Sequence, residues 1–206
     1  HCGEASKAPV GVSWDPHLGA TNMAVSMPQM WNADWVKFNF EQRFTADADR
    51  VLAVYVDRTF WDGLTGLSAT SAPEVLAVET RGSVAVVRLH YRLSVELPSE
   101  AARFIDTSNV SWVQETTWNL DDRSAKVTFQ PDQAARLIQA SATTRLLPLD
   151  QSSSAQGSSV DGSVRMIDGE IKVRIPLLGS RVERAIIGGI GEHLVEEAAE
   201  IQRHLD

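Results

Sequence analysis

The chain has 206 residues, 43% of them hydrophobic and 22% charged, a composition typical of a globular protein with its own core. The 27 acidic residues outnumber the 19 basic ones, and the formal charge of -8 argues against nucleic acid or an anionic membrane surface as a partner. No apolar run approaches the roughly 20 residues of a membrane span, so stable membrane insertion is not expected.

The single cysteine, Cys2, has no internal partner for a disulfide. Because the chain gains nothing from an oxidising compartment, a cytoplasmic location is expected. Residues 1–34 are rich in Gly, Pro, Ser and Ala and lack the order of a signal peptide. They are expected to be a disordered extension, and residues 35–206 to be one domain. The true start of translation and the role of the extension are left open.

The first ordered elements are predicted just after Trp35. Residues 36–44 alternate between apolar and polar side chains, which predicts a half-buried strand interrupted by Gln42. The following segment, FTADADRVLAVYVDRTFWDGL, predicts two short helices. Thr45 is the expected N-cap of the first helix, and the second is expected at about residues 59–64.

From Pro73 onwards the hydrophobic period is two. Residues 73–81 and 83–97 predict a hairpin across Gly82. In its second arm the odd-numbered residues from Ala85 onwards share an apolar face, and His90 lies on the opposite, solvent-exposed face. Pro98 then begins a predicted short helix.

The next predicted strand, VSWVQETTWNL, spans residues 110–120 and places two polar residues in the middle of an apolar face. That face consists of Val110, Trp112, Gln114, Thr116, Trp118 and Leu120. Further strands are predicted at residues 125–129 and 137–147. A last strand ends near Pro176, with a bend at Asp168-Gly169.

A long amphipathic helix is predicted from about Ser180 to the end of the chain. Its apolar stripe repeats every three or four residues and comprises Ile187, Ile190, Leu194, Ala198, Ile201 and Leu205. Gly188, Gly189 and Gly191 each cost roughly 1 kcal/mol of helix stability relative to alanine. Such a run needs a reason, which is either close packing or a deliberate gap.

This order of elements resembles the helix-grip architecture. Three segments, FNFEQRFTADADRVLAVYVD, WVQETTWNL and GEIKVRIPLLGSRVERAIIGGIGEHL, resemble an uncharacterised actinobacterial domain family of unknown function in the START-like superfamily, also called SRPBCC, Bet v 1-like or polyketide cyclase/dehydrase-like. The resemblance covers residues 36–205. It implies an α+β fold in which a curved antiparallel sheet wraps around the long C-terminal helix, often with an apolar cavity between them.

On this resemblance, we expect a hydrophobic ligand such as a lipid, isoprenoid or polyketide between the sheet and the last helix. Gln114, Thr116 and Tyr91 would orient its polar end, and Gly191 would leave room beside the helix. The predicted ligand-binding residues are Tyr91, Trp112, Gln114, Thr116, Trp118, Thr144, Ile187, Ile190, Gly191 and Leu194. Alternatively, Gln114 and Thr116 satisfy each other or a buried water, and the tryptophans are ordinary core.

The last helix also carries His193, Glu197, Glu200 and His204 at spacings of four, three and four, a pattern that can bind a divalent metal. Because metal sites in helical bundles draw on several helices, a solvated polar flank is the preferred interpretation and no metal is predicted.

Catalytic signatures are absent from the sequence. It contains no nucleophile elbow, zinc-protease motif, P-loop or dinucleotide fingerprint, so no catalytic residue and no cofactor are predicted. Asp168 and Glu170 could form an acid–base pair, but a turn role is preferred. The superfamily includes lipid carriers, hormone receptors, quinone chaperones, aromatic cyclases and oxygenase subunits, so the resemblance transfers no activity.

Three functions follow from these observations. The first is a binding protein that transports or sequesters a hydrophobic small molecule. The second is a cyclase or dehydratase that uses the same cavity, which would need an acid or base inside; the predicted inner face offers only Tyr91 and hydroxyl or amide groups. The third is an interaction domain without a ligand. A non-enzymatic role is preferred, and the sequence names neither the ligand, nor protein partners, nor the oligomeric state.

Overall fold

Seven strands and three α-helices make up the part of the chain that the computed structural model describes, which is residues 35–94, 97, 99–104, 106, 108–149 and 162–206. The extension predicted for residues 1–34 lies outside these ranges. The elements are β1 (Val36–Phe44), α1 (Ala48–Tyr55), α2 (Arg58–Gly63), β2 (Glu74–Arg81), β3 (Val84–Arg92), a 3-10 helix (Ser99–Arg103), β4 (Ser111–Asn119), β5 (Ser124–Pro131), β6 (Ile138–Pro148), β7 (Ser163–Val173) and α3 (Gly179–Leu205).

The strands form one antiparallel sheet in the order β1-β7-β6-β5-β4-β3-β2. Strands β2 to β7 pair with their neighbours in sequence, and β1 joins the far edge by pairing with β7. The helices α1 and α2 therefore connect the two edges of the sheet. Helix α3 packs against β1, β7 and α1, so the predicted α+β fold, a curved sheet around a C-terminal helix, is confirmed.

The hairpin predicted across Gly82 is confirmed, and Gly82 adopts a φ of 60° in the turn. Alternate residues of β3 from Ala85 to Tyr91 are buried, as the period of two predicts. The strand is shorter than predicted and ends at Arg92, with an isolated bridge between Thr70 and Leu93 beyond it. The short helix expected after Pro98 is present as a 3-10 helix.

The predicted N-cap of α1 is wrong. Asp47, in extended conformation, caps the helix, and its carboxylate accepts hydrogen bonds from the N–H groups of Asp49 and Arg50 at 3.0 and 2.9 Å. Thr45 instead contacts the end of α3: its N–H donates to Gln202 Oε1 at 3.0 Å, and its hydroxyl accepts from Gln202 Nε2 at 2.6 Å. Asp47 therefore caps α1, whereas Thr45 ties the segment before α1 to the end of α3.

The bend predicted at Asp168-Gly169 is also wrong, because β7 continues through both residues. Gly169 is opposite Phe38 on β1, and the Phe38 ring covers the position that a Cβ would take. This glycine therefore makes room for the Phe38 ring and does not turn the chain.

The core falls into two clusters. The first lies around α1, α2 and the adjoining strand ends and includes Tyr55, Trp61 and Trp118. The second lies between the sheet and the N-terminal half of α3 and includes Phe38 and Ile171. The candidate site lies where the two clusters meet.

Candidate functional site

A cavity of about 120 Å³ lies between the inner face of the sheet and the middle of α3. Its wall is mainly apolar and is contributed by β1, β4 to β7 and α3. The apolar side chains around it include Phe38, Trp112, Val127, Phe129, Ile167 and Ile190. Six polar residues also reach the wall, namely Thr70, Ser111, Gln114, Arg165, His193 and Glu197.

A buried ion pair joins the sheet to the helix at this cavity. Arg165 lies on the inner face of β7, and its Nη1 is 2.8 Å from Oε1 of Glu197 on α3. The two side chains are only 6% and 3% exposed. Arg165 Nε also donates to Thr144 Oγ1 at 2.9 Å. Since two buried charges lose their hydration, such a pair is retained only where further hydrogen bonds support it.

That support comes from Gln42 and Tyr55. The Tyr55 hydroxyl is 2.7 Å from Arg165 Nη1 and 3.1 Å from both Gln42 Oε1 and Glu197 Oε1. Gln42 is fully buried, and its Nε2 donates to the Leu194 carbonyl at 2.6 Å. The polar interruption of β1 therefore ties this strand to α3.

A second chain of contacts continues from the ion pair. His193 Nε2 lies 3.5 Å from Glu197 Oε2, and His193 Nδ1 lies 3.0 Å from the hydroxyl of the buried Thr70. The imidazole and the Tyr91 ring are nearly perpendicular, with centroids 5.1 Å apart. We refer to the residues joined in this way as the buried polar cluster: Gln42, Tyr55, Thr70, Thr144, Arg165, His193 and Glu197.

The electrostatics of the cluster keep the ion pair charged. Burial raises the pKa of the Glu197 carboxyl, but hydrogen bonding to His193 and the charge of Arg165 outweigh it and lower the pKa to about 2. Burial acts to lower the pKa of Arg165, yet Tyr55 and Glu197 hold it above its ordinary value. Burial raises the pKa of the Tyr55 phenol well above 10.0. At neutral pH the cluster thus holds a carboxylate, a guanidinium and a protonated phenol.

Of the predicted ligand-binding residues, Trp112, Gln114, Ile190 and Leu194 line the cavity. Thr116 and Trp118 lie beside it, in the wall of a second space of about 10 Å³ that Gln114, Arg165 and Glu197 also border. That volume fits about one water molecule. Ligand binding by these residues stays a prediction.

The other four predicted residues line neither space. Thr144 is engaged on both sides, since its hydroxyl donates to the Met166 carbonyl at 2.8 Å and accepts from Arg165. Tyr91 is 1% exposed and stacks on Trp112 at a centroid distance of 5.8 Å. Ile187 belongs to the second core cluster.

The room predicted at Gly191 is absent. A Cβ on Gly191 would stand 3.2 Å from Phe40 Cε1, so this glycine serves close packing of α3 on β1. Gly189 is the glycine that lies at the cavity. The gap and the close packing that the sequence left as alternatives therefore occur at different glycines.

Gln114 stands out among the cavity residues. Its half-buried side chain forms no hydrogen bond within the described part of the chain, and neither does that of Thr116. The alternative that these two residues satisfy each other is therefore wrong. A free amide at the wall of an apolar cavity is available to a ligand or to water.

The solvated flank predicted on α3 is wrong for His193 and Glu197, which are only 8% and 2% exposed. Glu200 is half-buried and pairs with Arg203, and His204 is exposed. Among the described residues, no group of three His, Cys, Asp or Glu side chains is arranged to hold a metal ion. The sequence could have indicated the cluster through polar residues at inward positions of three elements: Gln42 on β1, Arg165 on β7 and Glu197 on α3.

The other acidic and basic candidates from the sequence lie elsewhere. His90 is on the outer face of the sheet, 25% exposed, with Nε2 2.7 Å from Asp132 Oδ2. Asp168 and Glu170 alternate with the inward residues of β7 and do not border the cavity. The prediction that the inner face lacks an acid or base is wrong, because Glu197 and His193 reach the cavity.

Comparisons with known proteins place the chain in a family and a fold. The profile described as "Protein of unknown function (DUF2505)" matches residues 39–205. No curated protein matches the chain. Among solved structures, a protein from Thermus thermophilus has a TM-score of 0.54 at 15% identity, over 81% of this chain and 94% of that chain.

Two further structures support the same fold. Zhui aromatase/cyclase from Streptomyces sp. R1128 has a TM-score of 0.54 at 15% identity, over 82% of this chain and 93% of that chain. A Mycobacterium smegmatis protein has a TM-score of 0.51 at 12% identity, over 88% of this chain and 98% of that chain. The predicted START-like fold is confirmed, and at such identities the likeness concerns the fold alone. None of the described helices has the length and apolar character of a membrane span.

Proposed function

The chain belongs to this family of unknown function, and we propose from its site that it binds a hydrophobic small molecule between the sheet and α3. The observation that carries the proposal is the apolar cavity at which two hydrogen-bonding side chains, those of Gln114 and Trp112, are left without a partner among the described residues. Ligand sites are commonly built in this way, with many apolar contacts and a few polar groups that fix orientation.

The volume of the cavity limits the ligand. At about 120 Å³ it is comparable to the roughly 150 Å³ apolar cavity that accepts benzene in another protein. The space therefore suits one ring or a short branched chain. A whole lipid or polyketide exceeds this volume.

Cavity filling tests this proposal. Ala142 lies at the cavity on β6, so Ala142→Leu would occupy the space with three extra carbon atoms. The wild-type protein, gently purified, should carry or take up a small apolar molecule in native mass spectrometry, and the A142L variant should not. Thr143→Leu is the matched control, because Thr143 is exposed on the other face of the same strand. A wild-type protein that binds no member of a panel of apolar compounds would count against the function.

A second candidate function, proton-transfer catalysis of the cyclase or dehydratase kind, is favoured by one observation. Glu197, His193 and Thr70 form a continuous chain of contacts that ends at the cavity wall. Both imidazole nitrogens are engaged, so a ligand proton would reach His193 through the Thr70 hydroxyl. A positioned imidazole of this kind can serve as a general base.

Exchange of the methyl protons of acetophenone in D2O distinguishes the two functions. An enzyme would remove a proton next to the carbonyl and return a deuteron, so the protein would accelerate exchange over buffer. His193→Gln and Thr70→Val should then abolish the acceleration, and Thr70→Ser should retain it. Binding without acceleration would leave the carrier function and exclude this chemistry for aryl ketones.

A further inference from the structure

We propose that the cavity selects neutral ligands that carry a hydrogen-bond acceptor oxygen, and that Gln114 and Arg165 bind this oxygen. The inference rests on the proposed function and adds the chemical class of the ligand. An aryl ketone or a small quinone-like molecule has the required combination of ring and acceptor.

Gln114 supplies the first donor. It lies on β4 between two apolar cross-strand neighbours, Leu89 and Phe129. Its amide has no partner within the described residues and borders both the cavity and the smaller space beside it. A purely apolar ligand would strip water from this amide and return no hydrogen bond, which lowers affinity.

Arg165 supplies the second donor. Its Nε is bonded to Thr144, and its Nη1 faces Gln42, Tyr55 and Glu197. Within the described part of the chain, Nη2 forms no hydrogen bond, although Arg165 borders both spaces. Because the guanidinium is planar, the bonds at Nε and Nη1 fix the orientation of the unused Nη2 donors.

Charge argues for a neutral ligand. Arg165 and Glu197 contact each other at 2.8 Å, so the positive and negative charges of this pair cancel at the cavity wall. A ligand carboxylate would gain little from a guanidinium that is already paired, would meet the charge of Glu197 and would lose its own hydration. The formal charge of -8 for the whole chain adds a further barrier to anions.

Three probes of nearly the same shape separate these possibilities: acetophenone, α-methylstyrene and benzoate. They differ only in the group attached to the ring, which is a carbonyl with a methyl, a methylene with a methyl, or a carboxylate. We expect acetophenone to bind about tenfold or more tightly than α-methylstyrene, a difference typical of an unsatisfied buried donor. Benzoate should bind more weakly than acetophenone. Isothermal titration calorimetry or tryptophan fluorescence provides the dissociation constants.

A pair of variants tests whether Gln114 causes the preference for acetophenone over α-methylstyrene. Gln114→Leu removes the free amide with little change in shape, and it should reduce the preference for acetophenone while leaving α-methylstyrene affinity unchanged or improved. Gln130→Leu makes the same chemical change on the exposed outer face of β5 and should retain the wild-type preference.

The outcomes are distinguishable from those of the proposed function. If α-methylstyrene binds as tightly as acetophenone, or benzoate binds tightest, the ligand class is overturned while binding of a hydrophobic molecule stands. An unchanged preference in Q114L overturns the role of Gln114. If no probe binds, this inference fails, and the cavity-filling experiment with native mass spectrometry decides whether the proposed function fails with it.

Discussion

Glu197 is the residue on which the charge balance of the buried polar cluster depends. It is the only carboxylate among the described residues that contacts the Arg165 guanidinium, which is itself almost completely buried. Without it the guanidinium would face Tyr55, Gln42 and Thr144, which carry no compensating charge. Removing one member of a buried pair is costly because the other stays buried and unpaired.

We therefore expect Glu197→Gln to lower the free energy of unfolding by roughly 3 to 5 kcal/mol. Urea denaturation followed by tryptophan fluorescence measures the change. Glu79→Gln is the matched control, since Glu79 pairs with Arg81 on the surface with 56% of its side chain exposed, and it should shift stability by less than about 1 kcal/mol. Equal effects of the two changes would contradict the importance of the buried pair.

Because the pKa of Glu197 is depressed, the free energy of unfolding should depend on pH. Because the folded protein holds the pKa at about 2, below the ordinary 4.5, the folded state binds this proton more weakly than the unfolded state does. The stabilisation is complete above about pH 5 and is lost as the pH falls towards 2, by roughly 3 kcal/mol from this residue.

Chemical denaturation at pH 7, 5, 4 and 3 measures that loss. E197Q should show a shallower decline than the wild-type protein between pH 5 and 3, because the titrating group is gone. Parallel curves for the two proteins would show that other carboxylates cause the acid sensitivity.

The polar residues of the cluster were only partly predictable. Gln42 was visible as a break in an alternating strand, because period two assigns each residue of a strand to one face. Glu197 and His193 were assigned to solvent because they lie on the flank of the apolar stripe of α3. Whether such a flank is buried depends on how far the sheet curves around the helix, which the local pattern does not specify.

At the scale of elements, the periodicity predicted almost every strand and helix, and the errors fall at ends and junctions. The predicted N-cap of α1 was wrong because aspartate caps helices as well as threonine does, and Asp47 stands two residues after Thr45. The predicted bend in β7 was wrong because a glycine can relieve a steric contact as well as form a turn. The glycines of α3 show the same ambiguity, since sequence alone does not indicate which one faces open space.

Alanine at Gly188 should stabilise the protein by about 1 kcal/mol, because a Cβ there meets nothing within 4 Å and alanine is the better helix former. Gly191→Ala gains the same propensity but places its Cβ 3.2 Å from the Phe40 ring, so its net stabilisation should be smaller or negative. Thermal unfolding of both variants provides the comparison. A larger gain at Gly191 would show that Phe40 is free to move.

At the scale of the whole molecule, the buried polar cluster separates the two apolar clusters of the core. On β1, Gln42 lies between Phe40 of one cluster and Phe44 of the other. On β6, Thr144 likewise lies between Ala142 and Leu146. The apolar wall of the cavity comes mainly from the second cluster, with Trp112 from the first, so changes on the far side from Trp112 should leave the packing around α1 and α2 intact.

Hydrogen exchange should distinguish the two parts of α3 that lie on either side of this division. Residues 193–205 of α3 are tied to the rest of the protein through Glu197, Gln202 and the Leu205 carbonyl, which Arg50 contacts at 2.9 Å. Residues 185–192 lie beside the cavity and contribute no side-chain hydrogen bond to another described element. We expect amides 189–192 to exchange faster than amides 197–201, and mass spectrometry of peptic fragments can test it. Uniform protection along α3 would contradict the expectation.

The same arrangement leaves residues 185–192 of α3 as a weakly anchored segment between two fixed ends of the helix. Glu183 fixes the near end by accepting the Val173 N–H at 2.8 Å, and the ion pair of Glu197 fixes the far end. For a ligand that enters past this segment, the rate of binding would be set by outward bending of the helix and not by diffusion. Residence would be long for the same reason, and cooling should slow both entry and departure more steeply than it alters the affinity.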